Sequence, residues 1–202
     1  MTSIVSLIVR LHDAVFGAIE RALSGWFPGL FARFAVAAVL LVYYWNSAAT
    51  KIGPGLFGIL KVSDNAYYQI VPHVIEAAGF DVSKVAFFPW TIMVYLGTYA
   101  EFVLPFLVVV GLFTRIAALG MLGFIAVQSI VDVVLHMIGP EATGAWFDRF
   151  SDAAILDQRL MWMVPLVYLI VKGAGAVSLD RLLVTMSMKN GWRARPMMQA
   201  AH

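Results

Sequence analysis

The chain has 202 residues, of which 61% are hydrophobic and 13% charged, with a net charge of +2 and a mean hydropathy of +0.85. Soluble domains are about 45–50% apolar and about 25% charged, so composition excludes an ordinary soluble domain and leaves a single-domain integral membrane protein. There is no cysteine, which excludes disulfides, thiolate metal centres and thiol redox chemistry by this chain; the basic residues form no dense patch, so nucleic acid is not an expected partner.

In chain order, Ile4, Ile8, Leu11, Val15 and Ile19 recur at helical spacing, with Arg10, Asp13, Glu20 and Arg21 elsewhere on the wheel. The pattern predicts an amphipathic helix lying in the membrane interface over residues 1–28. It lacks the basic n-region and clear small-residue cleavage site of a signal peptide. Trp26 and Pro28 turn the chain into a first span, about Phe34–Thr50, bracketed by Arg33 and Lys51. Residues Ile52–Ala86 carry GPG at 53–55, several aromatics and His73. That stretch is too long for a plain turn and predicts short interfacial helices over the mouth of a bundle.

The second span covers about Phe88–Leu112 and the third about Ile116–Ile138. The run GLFTR at 111–115 is tight enough to force an antiparallel helix hairpin. The fourth covers about Leu160–Val171, starting late because of Asp157 and Arg159, with Ala153–Leu156 as its outward extension. All four are helices, because open strands leave backbone groups unsatisfied in lipid. The expected fold is therefore all-α: a four-helix transmembrane bundle over residues 29–180, preceded by the interfacial helix. A basic cytoplasmic tail follows over 181–202, where Lys189–Arg195 anchors to anionic lipid rather than to a protein.

Lysine and arginine set the orientation. Arg10, Arg21, Arg33, Arg115, Lys172, Arg181, Lys189, Arg193 and Arg195 fall on one side; Lys51, Lys61, Lys84, Arg149 and Arg159 fall on the other, with seven acids. Both termini are expected in the cytoplasm and both long loops outside.

The chemistry centres on Glu101, an acid near the middle of the most apolar stretch and four residues before Pro105. A carboxylate at that depth marks a functional site or a buried partner. Pro105 cannot donate to the carbonyl four residues back, which is that of Glu101 itself. In the third span Gln128, Asp132 and His136 are spaced by four and four, drifting about 80° around a helix while climbing about 12 Å. With Asn46 and Lys51 in the first span and Arg159 opening the fourth, they define a candidate polar pocket in the outer half, with Glu101 at its floor. Lys51, Arg159 and Thr98 are the candidate partners of Glu101, and in the rival reading the same groups are structural glue between helices. A metal set of His136, Asp132 and Glu101, with His73, is chemically admissible but weakly signalled by the spacing. Tyr43, Tyr44 and Trp45 read as interface-belt aromatics.

Arg33 and Lys51 around the first span, Glu101 in the second, GLFTR at 111–115 and GAGAVSLD at 173–180 together resemble the DoxX family of small four-helix membrane proteins. The resemblance covers about 150 residues through Asp180. It implies a bacterial cytoplasmic-membrane, multi-pass accessory subunit of a redox or metal-stress system that contacts quinone and works with a protein partner encoded nearby, a homo-oligomer being a further option. No cofactor is evident in the residues themselves. Any enzyme activity is expected to belong to a membrane oxidoreductase complex rather than to the chain alone. The glycines at 173 and 175 are expected to break the fourth span, Ser178 to cap the following short helix, and Asp180 to favour its first turn. Two alternatives stand beside this: a small proton-coupled transporter with Glu101 as its gate, and a structural membrane anchor for a partner enzyme.

Overall fold

The computed structural model describes residues 2–55 and 57–189. Of the expected basic tail, everything beyond Lys189 lies outside the described residues. The chain is all-helical: among the described residues a lone bridge between Ile52 and Val62 is the only β pairing. Among the described residues, three helices are long and apolar enough to cross a membrane.

Helix α1 spans Thr2–Leu23, and its apolar residues, Ile4, Leu7, Ile8, Leu11 and Phe16 among them, stay exposed. Helix α2 runs Phe27–Ala49, with Pro28 in its first turn, where a missing N–H costs nothing. It starts at Phe27 rather than Phe34 because Arg33, expected to bracket the span, is buried within it. A wide π turn at Ala37–Leu41 interrupts it.

The segment after α2 folds into α3, Asp64–Ile70, and α4, Pro72–Ala77. Its Val62, Ala66, Tyr67, Val71, Ile75 and Val85 form a small core closed by Val94 of the next helix, and the Tyr99 hydroxyl donates to the Ile59 carbonyl (2.8 Å). The loop is thus a packed cap. Asp81 nucleates the turn before the next span: its carboxylate accepts from the Ser83 hydroxyl (2.6 Å) and amide (3.0 Å). The Ser83 hydroxyl bond, then Lys84 and the Ser83 amide, hold that carboxyl below its usual range.

Helices α5, Phe87–Val110, and α6, Thr114–Leu135, form the predicted hairpin. Gly111 closes α5 in the left-handed conformation (φ 73°), the usual glycine C-cap. A short α7, Pro140–Thr143, precedes α8, Leu156–Lys172, and α9, Leu179–Lys189. α2, α5, α6 and α8 share one core, in which Leu40 and Tyr44 meet Val108, Met121, Ile125, Leu166 and Leu169.

Arg33, the GLFTR run and the GAGAVSLD run converge at one end of this core, whereas Lys51 and Glu101 lie elsewhere. Arg33 donates through Nε to the Val109 carbonyl (3.1 Å) and through a terminal nitrogen to the carbonyls of Ala174 (3.5 Å) and Val177. A Cβ on Gly111 would lie 2.7 Å from the Ser178 Cβ and 3.0 Å from the Arg33 guanidinium, so only glycine fits. Ser178 accepts from the Arg181 amide (3.2 Å), as expected of a cap of α9. Asp180, besides lying in the first turn of α9, reaches across the gap to accept from the amides of Phe113 (2.7 Å) and Thr114 (3.0 Å). Its carboxylate caps α6, because the first amides of α6 have no intrahelical acceptor.

Candidate functional site

At the other end of the core, Lys51 follows the last turn of α2 and Glu101 projects inward from the middle of α5. The Lys51 ammonium lies 3.0 and 2.8 Å from the two Glu101 carboxylate oxygens and also donates to the Ser47 hydroxyl (2.7 Å) and carbonyl (3.3 Å). Lys51 is 3% and Glu101 6% exposed, so this ion pair is almost wholly removed from solvent. A buried pair of this kind holds only when hydrogen bonds satisfy both charges, and Ser47 supplies the extra acceptors. Thr98, the other nearby candidate, bonds back to the Val94 carbonyl of its own helix (2.8 Å). Near the carbonyl that Pro105 frees, Trp45 Nε1 donates to the neighbouring Phe102 carbonyl (3.1 Å).

A second ion pair lies on the neighbouring helices. Arg159 of α8 donates to Asp132 and to the Ser129 hydroxyl (2.8 Å), both on α6. The C-terminal end of α6 is wound as a π turn over Val131–Leu135, a distortion that often sits at functional sites. Gln128 lies before this turn, Asp132 within it and His136 just after it; each bonds a different element, while all three line one cavity. Gln128 accepts from the Tyr44 hydroxyl (3.0 Å) and donates to the Tyr43 hydroxyl (3.2 Å) on α2. Asp132 faces α8, and His136 Nε2 donates to the Gln69 carbonyl of α3 (3.2 Å).

A cavity of about 430 Å³ opens between α5 and α6. Its walls are Leu96, Gly97, Ala100 and Leu104 of α5 against Gly120, Gly123, Phe124 and Val127 of α6. Lys51 and Glu101 lie on one side, Gln128, Asp132 and His136 line it, and Gln69 and Ile70 of α3 reach across the end near His136. Five of the seven predicted pocket residues are therefore brought together.

Two are not. Asn46 is exposed on α2 and is not among the lining residues, because the turn that points Ser47 and Lys51 toward Glu101 carries Asn46 away from α5. Arg159 is buried behind Asp132 and outside the cavity wall. The candidate metal set is not assembled either: among the described residues no three His, Asp or Glu side chains gather closely enough to hold an ion. Glu101 is turned to Lys51 and Asp132 to Arg159, while His73 lies exposed on α4 beside Glu76.

No family model, curated protein or solved structure matches the chain. The site's chemistry therefore rests on its own geometry: a largely apolar cleft at membrane depth, with a neutralised ion pair and a fixed amide beside it.

Sequence reasoning missed several members. Tyr44, expected in an interface belt, is 1% exposed, and its hydroxyl orients Gln128. Ser47 and Ser129, each an extra partner for a buried cation, carry no distinctive signal. Gln69 belongs to a loop whose fold is not readable from periodicity. Gly97, Gly120 and Gly123 were visible as glycines within spans, which is where helices approach closely or leave a gap.

Proposed function

We propose that the protein is an accessory subunit of a redox system in the bacterial cytoplasmic membrane, and that the cavity between α5 and α6 holds a quinone. The observation that supports this most is the composition of the cavity. Small-molecule sites are typically about 300–1,000 Å³ and mostly apolar, with a few placed polar groups. This one has aliphatic, glycine and Phe124 walls; Lys51, Glu101 and Ser47 of its lining satisfy one another, which leaves Gln128, Asp132 and His136, with Gln69, as the polar groups facing a ligand. A quinone presents a flat apolar ring, two carbonyl acceptors and an apolar tail, and so suits such a lining. When bound it would supply two-electron, two-proton carrier chemistry.

The chain's residues would have distinct parts in that reading. Gln128 is locked between Tyr43 and Tyr44, so its amide is positioned before a ligand arrives. Asp132 and His136 are the groups able to hold or pass a proton at the outer end. The donors of Lys51 are already taken by Glu101 and Ser47, so that pair shapes the wall rather than binding the ligand. For the same reason the transporter reading, with Glu101 as a gate, has the least support: both carboxylate oxygens are already engaged by the Lys51 ammonium.

The test uses purified protein in proteoliposomes and a photoreactive benzoquinone with an isoprenoid tail. Label is expected on α5 and α6 around Ala100–Leu104 and Gly120–Val127, suppressed by excess unlabelled quinone. Label spread over the lipid-facing surface and indifferent to competitor would overturn the quinone site.

One observation favours a second reading, the structural anchor. Lys51–Glu101 ties the end of α2 to α5 and Arg159–Asp132 ties α8 to α6, so the central charges also staple the four helices in two pairs. An anchor predicts no competed label but a partner enzyme lost from the membrane when the bundle is destabilised.

The membrane arrangement belongs to the same proposal. α8, with 17 residues, is about 26 Å long and serves as the fourth span, sharing the core with the other three. α1 lies along the cytoplasmic interface with its exposed apolar residues in the lipid, and both termini are cytoplasmic. Because the chain has no cysteine, single cysteines report this directly. In spheroplasts a membrane-impermeant maleimide is expected to label Lys61→Cys at once and Arg10→Cys only after permeabilisation. The reverse pattern would invert the topology.

A further inference from the structure

The cavity has an apolar rim on the flank of the bundle. Leu96 is 65% exposed, Val127 57% and Met93 44%, and all three are lining residues. Leu96 lies nine residues into α5 and Val127 eight residues before the end of α6, or about 12–13 Å inside the span ends at the α-helical rise. With a hydrocarbon core about 30 Å thick, the opening sits at acyl-chain depth. Gln69 and Ile70 of α3 cross the outer end, and α3 is held there by Gln69 and Asn65, which donate to the Thr50 hydroxyl (3.1 Å) and carbonyl (2.9 Å).

We propose that the cavity is loaded sideways, from the bilayer, through the gap between α5 and α6, and that Gly123 sets the width of what passes. The ligand class is an amphipathic molecule with a compact polar head, seated among Gln128, Asp132 and His136, and a flexible apolar tail left in the gap. For its ligand this rests on the quinone reading; the route stands on the position of the rim. A water-soluble solute has no reason to use an opening bordered by Leu96, Met93 and Val127.

The glycines facing the gap are not equivalent. A Cβ on Gly97 would sit 3.2 Å from Ile70 and one on Gly120 3.0 Å from Leu104, so both are packed against neighbours. A Cβ on Gly123 would meet nothing within 4 Å. Its missing side chain is open space on the cavity wall, and no packing against neighbours requires glycine there. Gly123 is therefore the position where a side chain can obstruct the passage without forcing the helices apart.

Two measurements on the full-length protein in liposomes decide the matter. A nitroxide on Ala100→Cys, inside the cavity, is expected to collide with oxygen dissolved in the membrane and hardly with a water-soluble nickel chelate. Dominant collision with the nickel complex, or with neither, overturns the lateral route whatever the ligand is. In the second, Gly123→Leu is expected to weaken binding of an isoprenoid-tailed quinone about tenfold, a difference of about 1.4 kcal/mol, while a tailless quinone loses less and Gly123→Ala stays within about twofold. Equal binding of the tailed quinone by Gly123→Leu and wild type, with the variant folded by circular dichroism, also overturns the proposal. If wild type binds neither quinone, the quinone reading falls and the nitroxide result alone decides the route.

Discussion

Replacing Lys51 by Met, or Glu101 by Leu, is expected to destabilise the protein by about 3–5 kcal/mol, because each change leaves the opposite charge buried and unpaired. The two residues are 3% and 6% exposed and meet at 2.8 Å, and among the described residues the other acceptors of the ammonium are the two oxygens of Ser47. The double replacement Lys51→Met with Glu101→Leu removes both charges and is expected to recover most of the loss, as apolar substitutes for buried ion pairs often do. Unfolding in mixed micelles measures all three variants, and the cycle isolates the coupling. Single variants within 1 kcal/mol of wild type, or a double variant as unstable as the sum of the singles, would show that the pair is not the closed unit its geometry describes. The double variant also separates the two readings of the site. If the pair only shapes the wall, the restored protein keeps the competed quinone label; if the ammonium contacts the ligand, the label disappears although the fold returns.

Much of this arrangement was legible in the residues. A long apolar run with one acid gives both a span and a requirement for a partner, since lipid leaves an isolated carboxylate no inexpensive state. Lys51 was on the short list for that reason, and the choice among Lys51, Arg159 and Thr98 depended on rotation about the helix axes, which sequence fixes only roughly. The π turn at Val131–Leu135 shows the limit. An ideal helix puts Gln128, Asp132 and His136 on one drifting stripe, and all three do line one cavity, but their partners on α2, α8 and α3 are not readable from that stripe. Nothing in VDVVL announces such a turn, whose two ends are held by different elements: Arg159 of α8 bonds Asp132, and the Gln69 carbonyl of α3 meets His136. The start of α2 was misplaced through a related assumption. Arginine was treated as a marker of the membrane boundary, while Arg33 is satisfied inside the protein by backbone carbonyls. Asp180 was placed correctly in sequence, but a helix N-terminus across a tight hairpin lies as near to it as its own helix does.

Arg33→Met is expected to be the most damaging change at the opposite end, costing roughly 3 kcal/mol, since each buried carbonyl left without a donor costs about 1–3 kcal/mol and nearby water at the helix ends offsets part of the loss. The guanidinium serves carbonyls from two elements, Val109 on α5 and Ala174 and Val177 in the α8–α9 turn, and its fork lies against Gly111. Arg33→Lys keeps the charge but not the fork of donors, so it is expected to fall between Met and wild type. Asp180→Asn removes charge-assisted bonds to Phe113 and Thr114 but leaves an amide oxygen able to cap α6, and is expected to cost about 1 kcal/mol. Thermal unfolding in detergent ranks the three variants. Hydrogen exchange locates the damage, with faster exchange expected at 173–180 and 109–114 while the half around Glu101 keeps its protection. Unfolding of Arg33→Met at the wild-type temperature, or loss of protection that begins at the Lys51–Glu101 end, would mean that the carbonyl cluster does not hold α2, α5 and α8 together.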